Sequence, residues 1–276
     1  MEKDLLSYPL EQLVLFFPAI RFSLLHPTLV AKETNQITPP ARKRKADLPD
    51  SNSMFGKTAS SAGASSKKSK GVDEEAIDDL FTSFADEEDP DQWELEHICN
   101  FAVKLGMDPE KDVRLLVLLW KMNAVTKPGT LMRKEFVAGM TKELRKDNME
   151  DLLSILPSLD PGFLERSEFR DFYKFVFQFS REGTQKTIDK ESIAQLMNLV
   201  LDKNRAPHLD YFLEFLKLCN HQRITLDQWD SFLQFQLTVS IDITNYDEDG
   251  ACEYLLLLSI YRHIMRVVHT HAARCC

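Results

Sequence analysis

The stretch Asn245-Tyr246-Asp247-Glu248-Asp249-Gly250 begins like a calcium-binding loop between two helices. Such a loop places oxygen ligands at positions 1, 3 and 5, a glycine at the turn of position 6 and a bidentate Glu at position 12. The stretch fills the first four of these roles, but position 12 is Leu256, which has no oxygen to offer a hard cation. We therefore expect helix–loop–helix architecture without the metal chemistry, which favours a binding module over a calcium sensor.

The fold class follows from the spacing of apolar residues. From Asp73 onward they recur at helical intervals, and no convincing strand or hairpin pattern is present. An apolar residue followed by polar cap residues and a helix recurs at Trp93, Leu131, Ile188 and Leu226. The separations of 38, 57 and 38 residues predict two lobes, each a pair of EF-hand-like helix–loop–helix units. The predicted fold is all-α, without functional calcium loops, and is preceded by a disordered basic tail.

Composition divides the chain into four segments. Residues 1–33 are an apolar N-terminal segment of unknown role, a poor match to a signal peptide and too interrupted for a membrane helix. Residues 34–72 are rich in Ser, Lys, Pro and Ala and bury too little apolar surface to fold, so they are predicted to be a disordered basic linker. The helical domain is predicted at 73–270, with a C-terminal tail at 271–276.

Charge is distributed unevenly between these segments. Residues 1–72 contain eleven Lys/Arg and six Asp/Glu, a net of +5, and since the whole chain is −9, residues 73–276 carry −14. An acidic folded region argues against nucleic acid as a partner and favours basic proteins. The basic runs at 42–45 and 67–70 are typical of nuclear import signals or of solvated charged tails. We expect a protein of the nucleus and cytoplasm, with no membrane partner.

The sequence has none of the common signatures of catalysis. There is no G-x-S-x-G, no P-loop, no H-E-x-x-H and no cysteine with an evident base partner. The five cysteines have neither CxxC spacing nor a paired His, so neither a zinc site nor a disulfide framework is predicted. We therefore expect no catalytic residue, no metal and no cofactor.

Three segments together match a known family in order and spacing. They are 169–179 (FRDFYKFVFQF), 118–121 (LLWK) followed by 134–141 (KEFVAGMT), and 227–229 (DQW) leading to 245–251 (NYDEDGA). In this arrangement the chain resembles the defective-in-cullin-neddylation (Dcn-like) family and its potentiating-neddylation (PONY) domain. The resemblance covers roughly residues 75–251, and the ubiquitin-associated domain of some family members is not recognisable here.

The resemblance implies a scaffold-type ligase without catalytic residues of its own. It would hold a conjugating enzyme, charged with the ubiquitin-like modifier Nedd8 (Rub), against a cullin. An apolar pocket would take the acetylated N-terminal methionine of that enzyme. Burial of a Met side chain contributes about 1.5–3 kcal/mol, and acetylation removes a terminal charge that is costly to desolvate. Motif alignment puts the pocket at Leu95, Ile98, Leu115, Leu118, Met122, Leu131, Phe179 and Leu199.

The resemblance also implies an acidic patch that docks basic residues of the cullin C-terminal region. Two of its three positions are retained, Asp227 and Ala251, whereas Leu257 stands where the family has a third acid. Loss of one member of a desolvated charge contact can cost about 2–5 kcal/mol. The departure from the family pattern after residue 251 therefore bears most directly on cullin affinity.

Two other functions fit the same residues. A calcium-responsive EF-hand regulator would release or absorb heat on titration with micromolar calcium. An EF-hand-like adaptor would keep the methionine pocket but would not activate cullins, since it lacks the third acid. Each of the eight pocket residues, taken alone, is also an ordinary core residue.

Overall fold

The computed structural model describes residues 72–220, 222–246 and 262–265. Helices dominate these residues, which confirms the predicted all-α class. The α-helices are α1 (Glu74–Thr82), α2 (Leu95–Lys104), α3 (Arg114–Lys121), α4 (Arg133–Ala138), α5 (Met149–Ile155), α6 (Arg166–Phe179), α7 (Lys190–Val200), α8 (Leu209–Leu218) and α9 (Leu226–Thr238). A π-helical segment, Gly139–Leu144, continues α4, and 3-10 turns at Leu156–Leu159 and Pro161–Phe163 follow α5. Residues 262–265 are also helical.

Short strands lie between the helices, although the sequence analysis expected none. They are β1 (Gln92–Trp93), β2 (Leu131–Met132), β3 (Thr187–Asp189) and β4 (Arg223–Thr225). With two or three residues each, these strands are too short to show an alternating pattern in the sequence.

The strands form two antiparallel pairs. In the first pair Trp93 lies opposite Leu131, and in the second Ile188 lies opposite Ile224. The fourth residue of the predicted repeat, Leu226, is the first residue of α9 and follows Ile224 by two positions. We call α1–α4 with β1 and β2 the N-terminal lobe, and α6–α9 with β3 and β4 the C-terminal lobe. Their likeness to EF-hands stays an interpretation of the sequence.

Side chains that accept backbone hydrogens fix several helix starts. Asn148 accepts from the Asp151 amide at the start of α5. At the start of α9, Thr225 and Gln228 cap each other, each side chain accepting from the other's backbone N–H at 3.2 and 3.0 Å. A cap of this kind contributes about 1 kcal/mol. These caps set where the exposed first turns of the helices lie.

Two fully buried tryptophans have the same arrangement, one in each lobe. Trp93 stacks on Phe81 with ring centroids 4.6 Å apart, and its Nε1 donates to the Phe81 carbonyl at 3.0 Å. Trp229 stacks on Tyr173 at 4.2 Å, and its Nε1 donates to the Tyr173 carbonyl at 2.9 Å. Trp93 thereby anchors α1 within the N-terminal lobe, and Trp229 anchors α9 against α6.

Several predicted segments lie outside the described residues: the apolar segment 1–33, the linker as far as residue 71, and the tail 271–276. Most of the stretch that begins like a calcium-binding loop, residues 247–256, also lies outside them. Among the residues that are described, no helix has the length and apolar character needed to cross a bilayer.

Candidate functional site

The eight predicted pocket residues belong to one hydrophobic core. Leu199, on α7, is half-buried and packs against the others. The remaining seven are buried: Leu95, Ile98, Leu115, Leu118, Met122, Leu131 and Phe179. They come from α2, α3 and β2 of the N-terminal lobe and from α6 of the C-terminal lobe. Their role as a peptide pocket stays a prediction, because in this structure they pack as core.

The loop before β2 is hydrogen-bonded to the end of α6. The Phe179 carbonyl accepts a hydrogen bond of 2.8 Å from the Gly129 amide, two residues before Leu131. The lobes also meet through α3 and α6, where Trp120 and Phe172 pack edge to face with centroids 5.9 Å apart. The residues predicted to surround the methionine thus lie where the two lobes contact each other.

A buried carboxylate holds this loop in place. Glu135 is only 7% exposed. Its Oε1 accepts from the amides of Val125 and Thr126 at 3.1 and 2.9 Å, and its Oε2 accepts from the Met132 amide at 2.9 Å. The sequence analysis missed this residue. The signal that could have found it is an acid three residues after a helix start, the second half of a capping box.

A cleft of about 730 Å³ opens beside α3, the π-helical segment and α6. Its lining includes Trp120, Lys134 and Glu168, and among the eight predicted pocket residues it includes only Met122. Gly139 packs closely against Met122. A Cβ added at Gly139 would be 2.6 Å from the Met122 Cα. Only glycine allows the π-helical segment to approach α3 this closely, which the sequence analysis also missed.

The acid predicted to contact the cullin is accessible. Asp227 lies exposed in the first turn of α9 and forms no ion pair with any residue that the structure describes. One turn further, Asp230 pairs with Arg170 at 3.0 Å and with Lys174 at 3.5 Å. Hydrogen bonding to Asp230 raises the pKa of the Arg170 guanidinium. Since Trp229 is buried, α9 is fixed with Asp227 facing outward.

Ala251 and Leu257 lie outside the described residues, so the other two positions of the acidic patch stay predictions. Asn245, at the first position of the degenerate loop, has a local structural role. Its Oδ1 accepts from the Ser240 amide at 2.8 Å, and its Nδ2 donates to the Thr238 carbonyl at 2.9 Å. Within the described ranges, no group of three or more His, Cys, Asp or Glu side chains is placed to hold a metal.

Residues 149–256 match a family model described as cullin binding. Human DCN1-like protein 3 is 34% identical over 202 residues, which covers 69% of this chain and 64% of the relative. Over this region the chain is similar to a DCN1-like protein.

Other DCN1-like proteins match over a shorter region. Human DCN1-like protein 4 is 35% identical over 156 residues, 56% of this chain and 52% of the relative. Rat (Rattus norvegicus) DCN1-like protein 5 is 33% identical over 156 residues, 56% of this chain and 64% of the relative. In each case the match spans less than two thirds of the relative's own length. The family-model match contains both retained patch positions, Asp227 and Ala251, and two of the pocket residues, Phe179 and Leu199.

Proposed function

We propose that this chain is a non-catalytic scaffold that promotes cullin neddylation. One observation carries the proposal: within the match described as cullin binding, Asp227 is exposed and unpaired among the described residues, on a helix fixed by the buried Trp229. A charge held in this way is available to a basic partner surface, and the helix that presents it needs no reordering on binding.

The proposed mechanism is positioning. A chain that binds both the charged conjugating enzyme and the cullin brings the thioester close to the acceptor lysine, which replaces a bimolecular encounter by a held geometry. No acid, base or nucleophile of this chain takes part. Similarity to DCN1-like proteins supports a role without enzymatic activity of its own.

The conjugating enzyme would bind through its acetylated N-terminal methionine at the eight core residues between the lobes. Two features support this: the residues form one apolar cluster, and Leu199 at its edge is only half-buried. Because the cluster is packed in this structure, we infer that side chains there shift to admit the methionine. The π-helical segment and the loop held by Glu135 border the cluster and are the elements that would move with it.

Calorimetry with N-terminal peptides of the conjugating enzyme tests this pocket. The acetylated peptide should bind more tightly than the unacetylated one, since a free terminal ammonium is costly to desolvate. The control is Asp227→Lys, which should leave peptide binding unchanged. Equal affinity for the two peptides would remove the basis for an apolar pocket.

Asp227→Lys should instead weaken binding of the cullin C-terminal region. The matched control is Glu150→Lys, because Glu150 is also an exposed acid in the first turn of a helix, α5. A cullin affinity that falls equally in both variants would indicate general electrostatic attraction rather than a patch at α9.

An adaptor that binds the conjugating enzyme without activating cullins is the second candidate. It is favoured by Leu257, an apolar residue where the resemblance implies an acid. A reconstituted transfer assay separates the two functions, because an adaptor would leave the rate of cullin modification unchanged while still binding the acetylated peptide.

A further inference from the structure

A second, smaller cleft lies among the start of α6, the α7–α8 connection and the end of α9. Its volume is about 210 Å³, and its lining includes Arg166, Phe169, Arg205, Leu233 and Gln236. Since a water molecule occupies about 30 Å³ of liquid volume, this space holds roughly seven waters or a short acidic side chain. Polar donors and apolar side chains both contribute to its walls.

Arg205 is held rigidly at this cleft. Its Nη2 donates to the carbonyls of Pro161, Gly162 and Leu164 at 3.0, 3.2 and 3.0 Å. The guanidinium also lies over the Phe169 ring, 4.2 Å from its centroid. All three hydrogen bonds use Nη2, and among the described residues the Nε and Nη1 hydrogens have no acceptor, so they are available to a further one.

The two arginines of the cleft differ from others in the domain. Arg114, Arg133 and Arg170 each pair with an aspartate within 3.0 Å. Neither Arg166 nor Arg205 forms an ion pair within the part of the chain that the structure describes. In a region with a net charge of −14, two cations without acidic partners at one small cleft form a local anion-attracting site.

Gln236 adds a buried donor. Its side chain is only 6% exposed, and its Oε1 accepts from the His208 amide at 3.0 Å. Because a backbone N–H can only donate, this bond fixes which end of the amide is the oxygen. The Nε2 group is left without an acceptor among the described residues. A buried donor without an acceptor is costly, and a ligand oxygen would relieve that cost.

We propose that this cleft binds a carboxylate on an aliphatic stem, presented as a Glu side chain by an acidic segment of a partner protein. The guanidinium groups would pair with the carboxylate, and Gln236 would supply a neutral donor. The apolar side chains of Phe169 and Leu233 would pack against the aliphatic stem. The surrounding negative charge disfavours a dianion such as phosphate relative to a single carboxylate.

This site is separate from the patch proposed for the cullin. Asp227 and Gln236 lie near opposite ends of α9, nine residues apart, which at 1.5 Å per residue is about 14 Å along the axis. The site therefore stands or fails independently of the proposed function.

The test follows the side-chain amide resonances of the full chain, labelled with ¹⁵N-Gln, with Gln236→Glu used to assign the signal of Gln236. The probes are the peptide acetyl-Ala-Glu-Leu-Ala-amide, its Gln counterpart, propionate and inorganic phosphate. The Glu peptide should give a saturable shift of the Gln236 signal, and the Gln peptide should give none. Propionate should bind about tenfold more weakly than the Glu peptide, and phosphate should not displace it.

Two variants examine the same site. Arg166→Gln should weaken binding of the Glu peptide about fivefold to tenfold, since the substitution removes one charged donor. Lys186→Gln, an exposed cation in the loop before β3, is the matched control and should have no effect. Arg205→Lys keeps the charge but loses the planar fork, so it should also weaken the peptide.

Several results would overturn the proposal. They are a shift that does not saturate, equal losses in Arg166→Gln and Lys186→Gln, or tighter binding of phosphate than of the Glu peptide. If propionate bound as tightly as the Glu peptide, the ligand of the cleft would be a small carboxylate and not a segment of a partner protein. Asp227→Lys should leave every one of these titrations unchanged, which keeps this test apart from that of cullin binding.

Discussion

The two lobes use the same tryptophan contact over different distances in the chain. In the N-terminal lobe, Trp93 bonds to a carbonyl 12 residues away, within one helix–loop–helix unit. In the C-terminal lobe, Trp229 bonds to a carbonyl 56 residues away, in a different unit. The first contact is local and fixes α1 beside its own strand. The second closes a long loop and fixes the helix that presents Asp227.

The two lobes also differ in where their polar interactions lie. The N-terminal lobe buries the Glu135 carboxylate under three backbone amides of the loop that leads to β2. The C-terminal lobe supports its strands from outside, where the exposed Arg223 donates from Nε to Thr187 Oγ1 at 2.8 Å. The carboxylate thus fixes a loop from within the N-terminal lobe, whereas the arginine links two strands at the surface of the C-terminal lobe.

The largest expected effect comes from removing the tryptophans. Trp93→Ala and Trp229→Ala should each lower the free energy of unfolding by about 3–5 kcal/mol, because each leaves a cavity in the core. The lobes should differ in function: Trp229→Ala should also weaken cullin binding, and Trp93→Ala should not. Urea unfolding and a cullin pulldown measure the two quantities. Equal loss of cullin binding in both variants would contradict the assignment of the patch to α9.

Gly139→Ala should have the next largest effect on stability. The added methyl group would meet the Met122 backbone at 2.6 Å, so the π-helical segment must shift away from α3. We expect a loss of about 1–3 kcal/mol in the free energy of unfolding and weaker binding of the acetylated peptide. Lys142→Ala, an exposed change in the same segment, is the control and should alter stability by less than about 0.5 kcal/mol. Unchanged peptide affinity in Gly139→Ala would separate this segment from the pocket.

A smaller, pH-dependent effect is expected in the N-terminal lobe. The hydrogen bond from Arg114 lowers the pKa of Asp112 below its ordinary 3.8. A carboxylate with a depressed folded-state pKa stabilises the protein above its unfolded value and loses that contribution as the pH falls through the folded value. Asp112→Asn should therefore be less stable than the parent chain at pH 7, by less than about 1 kcal/mol. The difference should vanish near pH 2 in acid-unfolding curves, and a difference that persists there would have another cause.

The alkylation rates of two cysteines can be compared without any substitution in the chain. Burial, with help from Glu110 and Glu96, raises the pKa of the Cys99 thiol to about 12. Since the thiolate is the reactive form, Cys99 should be alkylated at pH 8 more than about tenfold more slowly than the half-buried Cys219. Site-resolved mass spectrometry of iodoacetamide-treated protein measures both rates. Rapid labelling of Cys99 in folded protein would show that α2 opens more readily than the packed core allows.

Much of this architecture could be predicted from the sequence. Helical spacing is a local property, so it predicts the all-α class. Strands of two or three residues leave no periodic pattern, so the four strands were not predicted, although the repeat residues Trp93, Leu131 and Ile188 lie in three of them.

The functional surfaces were accessible to sequence reasoning only in part. Asp227 is predicted to contact the cullin because it stands in a run of residues that match the family, and that role stays a prediction. The Glu135 contacts, the approach of Gly139 to Met122 and the carboxylate cleft were not identified. These features join backbone atoms or side chains from separate elements, as in the cleft formed by residues 166, 205 and 236. Such contacts are set by tertiary packing, and neither composition nor periodicity encodes them.

The central claim is that one chain holds two partners without performing chemistry itself. A single-turnover assay of Nedd8 transfer from the charged conjugating enzyme to a cullin, with and without this chain, tests it most directly. We predict that the chain accelerates transfer, and that Asp227→Lys removes the acceleration while the acetylated peptide still binds with parental affinity. A transfer rate that is the same with and without the parent chain would contradict the claim.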